Sequence, residues 1–246
     1  FIVVDKVTLP SASATEFDFT SSYGSPFTLT DAGTPNNSGD LAPGTYSVSE
    51  GVEAGWDLTN TSCVSSNGDE ESIGTISLQA GETVTCTFTN TQRGSITVIK
   101  DVINPDGEPV SDNYVFEVKL DNANGQPLAE GTNASYTNLV PGSYTISETA
   151  DVNYDLNAPV VVILAPGENE VITLTNKQKK ATLTITKNVV KPDGTTEVVD
   201  LHPFTVDVGG TDQTFGETDP AVYTLNPGIY TVTEETDPNY DLVSIL

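Results

Sequence analysis

Apolar and polar residues alternate over short segments of this chain, and that period of two predicts β-strands. Phe1-Ile-Val-Val-Asp-Lys6, Ser95-Ile-Thr-Val-Ile-Lys100 and Thr182-Leu-Thr-Ile-Thr-Lys187 are three matching examples. In the last, Thr182, Thr184 and Thr186 face one side, and Leu183, Ile185 and Lys187 face the other, because strand side chains alternate between faces. No segment places apolar residues at i, i+3, i+4 and i+7, so helices are not expected. Frequent Thr, Val, Tyr and Phe, with 20 Gly and 15 Pro, favour short strands and turns.

The pattern repeats. Leu41-Ala-Pro-Gly-Thr-Tyr-Ser-Val-Ser-Glu50 recurs as Leu139-Val-Pro-Gly-Ser-Tyr-Thr-Ile-Ser-Glu148 and as Leu225-Asn-Pro-Gly-Ile-Tyr-Thr-Val-Thr-Glu234. Pro-Gly fits the centre of a type II turn, with glycine at φ > 0, and a strand is expected to follow. Two closing strands also match, Thr85-Cys-Thr-Phe-Thr-Asn90 and Ile172-Thr-Leu-Thr-Asn176. The expected units are about 1–92, 93–178 and 179–246, an all-β tandem array of small sandwiches in an extended rod. The third unit lacks its closing strand, so either the chain continues or another chain supplies it. Short polar linkers are expected at Thr91-Gln-Arg-Gly94 and Lys177-Gln-Lys-Lys180, allowing limited freedom between units.

Composition narrows the function. Nine Lys+Arg against 35 Asp+Glu give a net charge of −26, which disfavours nucleic acid and anionic membranes as partners. The acidity reads as a soluble, self-repelling surface, with a high-salt habitat or divalent-cation binding as the alternatives. No apolar run is long enough to span a membrane, and the start at Phe1 reads as a mature or excised piece of a secreted protein. Cys63 and Cys86 suit one disulfide in an oxidising compartment, or else two buried thiols.

Strand parity puts polar groups on core-facing positions. Lys6 follows Ile2 and Val4, Lys100 follows Ile96 and Val98, and Lys187 follows Leu183 and Ile185. Glu50, Glu148 and Glu234 share a face with Tyr46 and Val48, Tyr144 and Ile146, and Tyr230 and Val232. Asn90 and Asn176 lie on the apolar face of the closing strands. An unpaired buried ion costs on the order of several kcal/mol. Three resolutions are open: a Lys–Glu pair hydrogen-bonded to Asn, strand ends that let the charges reach water, or chemistry. In the third, burial lowers the lysine pKa and raises that of the glutamate, and the neutral amine attacks the carboxamide to form an isopeptide.

An inward Lys, the L-x-P-G-x-Y-x-x-x-E motif and a terminal Asn together resemble the Cna-B-like domains (collagen-adhesin B-type, prealbumin/transthyretin-like) of prokaryotic pilins and surface adhesins. The resemblance covers all three units, is strongest over 94–176 and is incomplete in the third. It implies Lys6–Asn90 with Glu50 as catalyst, Lys100–Asn176 with Glu148, and Lys187 with Glu234 and an Asn outside this sequence.

Other motifs carry less. The sequons at Asn36, Asn60 and Asn133 are glycosylation candidates that chance also produces in a Thr/Ser-rich chain. Acidic turns such as Asn104-Pro-Asp-Gly107 and Lys191-Pro-Asp-Gly194 lack EF-hand spacing. His202 stands without cysteine neighbours, so no metal site is expected, nor any cofactor. The expected function is a non-enzymatic extracellular one, as a pilus-like filament or adhesin stalk. Its partners would be copies of itself, a longer parent chain in a filament, or surface ligands. The alternative is an adhesin module that binds protein or carbohydrate through exposed loops.

Overall fold

The computed structural model describes residues 1–155, 158–195 and 199–245, and every regular element among them is a strand. Residues 1–92 carry β1 (Ile2–Leu9), β2 (Phe17–Ser21), β3 (Phe27–Leu29), β4 (Asn36–Asn37), β5 (Gly44–Tyr46), β6 (Val48–Glu50), β7 (Trp56–Ser65), β8 (Glu70–Glu71), β9 (Ile76–Leu78) and β10 (Val84–Gln92). There follow β11 (Gly94–Ile103), β12 (Val115–Leu120), β13 (Gln126–Ala129), β14 (Asn133–Leu139), β15 (Gly142–Glu148), β16 (Tyr154–Asp155), β17 (Val160–Leu164) and β18 (Asn169–Gln178). The rest are β19 (Ala181–Ile185), β20 (Phe204–Val208), β21 (Thr211–Phe215), β22 (Ala221–Leu225) and β23 (Val232–Glu234).

The chain divides into two compact units. One comprises Phe1–Lys100, Val115–Glu148 and Ala158–Leu174, and the other Asp101–Tyr114, Thr149–Asn157 and Thr175–Leu246. In the first, a sheet of order β4-β1-β10-β7-β8 faces the smaller sheets β3-β2-β6 and β5-β9 across a core that includes Ile2, Val4, Phe17, Phe19, Val48 and Phe88. β1 and β10 run parallel, Ile2 opposite Val84 through Leu9 opposite Thr91. The same unit holds the sheet β13-β12-β15-β17, β14, and the parts of β11 and β18 up to Lys100 and Leu174, around Ile96, Val98, Val118, Ile146 and Leu174. In the second unit β19 pairs with β22, and β20 lies between β21 and β23, packing Leu183, Val206, Val208, Phe215 and Tyr223.

The repeated Pro-Gly motif has a physical cause different from the expected one. Gly44, Gly142 and Gly228 are not among the glycines with positive φ, so the type II turn expectation is corrected. Gly44 and Gly142 open strands and are extended. The motif tyrosine folds back instead, its hydroxyl donating to the carbonyl two residues before the glycine: Tyr46 to Ala42 at 2.7 Å, Tyr144 to Val140 at 2.6 Å and Tyr230 to Asn226 at 2.9 Å. The ring lies along the glycine, and a Cβ on Gly228 would stand 3.5 Å from the Tyr230 ring.

The strand after the motif also differs. In the first repeat it breaks at Ser47: Tyr46 pairs with Ile76, while Val48–Glu50 pairs with β2. β15 makes the same change of partner without a break, from β17 at Gly142–Ile146 to β12 at Ile146–Glu148. In the third repeat only Val232–Glu234 is a strand, paired with β20.

The expected linkers are mostly strand. β10 runs through Gln92 and β11 starts at Gly94, leaving Arg93 alone between them, and β18 extends to Gln178. Arg93 grips Asp57 with two hydrogen bonds, Nε to Oδ2 at 2.8 Å and Nη2 to Oδ1 at 2.7 Å, and its Nη1 reaches the Asn138 carbonyl at 3.4 Å. The turn at 165–168 closes on the same spot, with Gly167 N donating to Gln92 O and Ser95 N to Glu168 O.

Candidate functional site

The first lysine site is built on adjacent parallel strands. β1 has the burial alternation its sequence predicts, and Lys6 takes the next inward position after Ile2 and Val4. It is 2% exposed. β10 brings Asn90 to the same face, also 2% exposed. The ladder between β10 and β7 shifts register between Thr89 and Asn90. A bulge there re-aims the local side chains, and the extra residue, Thr59, bonds the Thr89 carbonyl and the Thr91 hydroxyl. β6 supplies Glu50 from the opposite sheet.

These groups meet. Lys6 Nζ donates to Asn90 Oδ1 at 2.9 Å, Val7 O at 2.9 Å and Phe88 O at 3.2 Å. Asn90 Nδ2 donates to Glu50 Oε1 at 2.5 Å, and Glu50 Oε2 lies 3.9 Å from Lys6 Nζ. Burial holds the Lys6 amine below its ordinary pKa, against the opposing pull of Glu50, Asp31 and Asp5. Burial likewise raises the Glu50 carboxyl, opposed by Lys6 and the Asn90 hydrogen bond. Both shifts favour the neutral pair. An amine with reduced proton affinity thus faces a carboxamide whose nitrogen touches a carboxyl group, the set of groups that amide exchange requires.

The second site repeats part of this geometry. Lys100 is 1% exposed and its Nζ donates to Leu174 O at 3.0 Å. Leu174 precedes Asn176 by two residues, as Phe88 precedes Asn90. Asn176 is 2% exposed, and Glu148 is half-buried on β15, opposite Val118. The third site is more open. β19 ends at Ile185, before Lys187, and Lys187 pairs with both oxygens of Glu234 at 2.7 and 2.9 Å, the side chains 15% and 12% exposed. Among the described residues no carboxamide bonds to Lys187.

Sequence reasoning missed the floor of these sites. Each ammonium nitrogen sits over a phenylalanine ring: Lys6 over Phe17 at 4.1 Å, Lys100 over Phe116 at 4.3 Å and Lys187 over Phe204 at 4.1 Å. The signal was present as Phe17-Asp-Phe19, Phe116-Glu-Val118 and Phe204-Thr-Val206. The ring gives each amine an apolar floor that keeps out water, the desolvation that holds the Lys6 amine below its ordinary pKa. Two crossed clasps were also missed. Tyr114 donates to Asp151 and Tyr154 to Asp112, at 2.7 and 2.6 Å. His202 bonds Asp237 and Tyr240 donates to Asp200, both at 2.8 Å. Burial and the Asp112 carboxylate push the Tyr154 phenol well above its ordinary range.

Cys63 and Cys86 form a disulfide directly across β7 and β10, four residues before Asn90. Of the sequon asparagines, Asn60 and Asn133 are exposed and Asn36 is half-buried on β4.

Residues 2–92 match the family of prealbumin-like fold domains. Among solved structures, the Bacillus anthracis TIE protein is 24% identical over 98% of this chain and 46% of that one, with a TM-score of 0.43. This chain thus spans about half the length of that protein. The minor pilin GBS52 of Streptococcus agalactiae is 12% identical over 78% of this chain and 100% of its own, with a TM-score of 0.30. A streptococcal ancillary pilin is 14% identical over 99% and 92%, with a TM-score of 0.31. No curated protein matches the chain.

Proposed function

We propose that this chain, whose residues 2–92 form a prealbumin-like domain, is a structural segment of an extracellular fibre, a pilus-like shaft or adhesin stalk. In this reading its repeats span about 1–92, 93–178 and 179–246, and isopeptide bonds lock the first two. The observation that carries the reading is the buried Lys6–Asn90–Glu50 contact between the first and last strands of a repeat. A permanent bond there has no use in turnover but resists tension.

The chemistry balances without a cofactor. Lys6 Nζ, as the free amine, attacks Asn90 Cγ. A new C–N bond forms, the bond from Cγ to Nδ2 breaks, and ammonia leaves. Glu50 accepts the amine proton and delivers one to Nδ2, the atom it already touches. Lys100, Asn176 and Glu148 take the same roles in the second repeat, on the strength of the matching Lys100–Leu174 and Lys6–Phe88 contacts. Lys187 and Glu234 form an ion pair to which this reading assigns no crosslink. The Cys63–Cys86 disulfide supports an oxidising, extracellular setting.

Intact mass with peptide mapping tests the proposal. The expected result is a mass short by one ammonia for each locked repeat, with Lys6 linked to Asn90 and Lys100 to Asn176. Free lysine and asparagine at both sites would remove the crosslinks from the reading.

A further inference from the structure

One surface is apolar without the fold requiring it. β17, Val160-Val-Val-Ile-Leu164, forms the edge of the sheet β13-β12-β15-β17. Val162 and Leu164 point into the core, whereas Val161 and Ile163 are 63% and 78% exposed. Their neighbours across the ladder are Thr145 and Ser143. The first repeat provides an internal control. There the strand that pairs with the Pro-Gly segment is β9, Ile76-Ser-Leu78, and its outward residue is Ser77. The same position thus works with a hydroxyl. β17 also lacks the usual protections of a free edge, an outward lysine, a bulge or an internal proline. Its prolines, Pro159 and Pro166, lie outside the paired residues.

We propose that the free edge of β17 is a self-association surface, pairing antiparallel with β17 of a second copy of this chain. Charge selects the occupant. Residues 131–147 and 158–167, which include β17 and all of β15 but its last residue, Glu148, carry no charged side chain in a chain of net charge −26. A partner recruited by electrostatic attraction would settle on the acidic surfaces instead. Two copies of the same acidic chain meet with least repulsion at this neutral ribbon. The strand is also self-complementary. Pairing centred on Val162 sets Val161 opposite the partner subunit's Ile163, and the reverse, on one face, so that one operation satisfies both copies. Main-chain hydrogen bonds at the joined edges supply the rest, as in other β-strand additions.

The test is sedimentation equilibrium of the full chain across a concentration series at low and high salt, with Ile163→Lys and Ile163→Glu variants. Ile163 is solvent-facing, so the variants keep the fold, checked by far-UV circular dichroism. Average mass should climb from 26.0 kDa toward twice that value, at lower concentration in high salt because salt screens the repulsion. Each variant alone should associate about tenfold or more weakly, the scale of 1.4 kcal/mol per decade, and mixing the two should restore association. A monomer at every concentration, or a dimer indifferent to Ile163→Lys, overturns the proposal.

Discussion

Glu50→Gln separates a covalent lock from an ordinary polar cluster. Gln is nearly isosteric and keeps an oxygen to accept from Asn90 Nδ2, so the packing around Phe17 and Phe88 stays intact. It cannot carry the proton that the amide exchange needs. If Lys6 and Asn90 are bonded in the parent protein, the bond closes a loop spanning a separation of 84 residues. Applied to any crosslink, the chain-entropy relation gives such a loop about 4.5 kcal/mol of stabilisation. For a domain of this size the loss lowers the unfolding midpoint by roughly 20–35 °C. If no bond exists, the substitution exchanges one neutral-leaning acceptor for another, with a change of about 1 kcal/mol or less. Trp56 reads out this repeat alone. It is the only tryptophan, 8% exposed and edge-on to Phe17 at 5.4 Å. Thermal unfolding followed by Trp56 fluorescence, with intact mass on the same samples, therefore decides the matter. A variant that melts within a few degrees of the parent, its mass differing only by the substitution itself, would refute the reasoning.

Reducing Cys63–Cys86, which spans 23 residues, should remove about 3.5 kcal/mol and lower the Trp56 midpoint. Gly94→Ala would drive a Cβ into the Glu168 carbonyl oxygen, costing about 1–3 kcal/mol, measurable by urea unfolding. The Arg93 guanidinium, chiefly through its hydrogen bond, holds Asp57 below its ordinary pKa. Its contribution to stability is therefore full above the unfolded value near about 4 and is lost as pH falls through the lower folded value. Arg93→Ala should flatten that acid limb in a Trp56-detected pH titration.

Alternation was enough to place Lys6 and Lys100 in the core, because a period of two assigns each residue to a face. It could not show which sheet a strand pairs with, so the break at Ser47 and the change of partner along β15 were invisible. The glycine of the motif was misread for a related reason. Pro-Gly by itself signals a turn, whereas here the tyrosine two residues later sets the geometry by bonding back to the turn carbonyl. Sequence alone did not single out Phe17, Phe116 and Phe204, since it does not report what lies above a ring. Lys187 had the right parity, yet β19 stops before it, and its side chain remains partly open. Arg93 was assigned to a polar linker. It proved to be a clamp at a strand-to-strand joint, because its partner, Asp57, lies 36 residues away.

The parallel pairing of β1 with β10 also imposes an order of events during synthesis. Lys6 pairs with a residue 82 positions later, so the first strand emerges with its long-term neighbour still untranslated. At about 5–20 residues per second it waits roughly 4–16 s, while the pairings of β1 with β4, β2 with β3 and β6, β5 with β9 and β7 with β8 are already available. Local pairs can form early, but the strand that completes the sheet must come last. Residues 1–92 therefore fold as a sheet that shuts only after its final strand, β10, arrives.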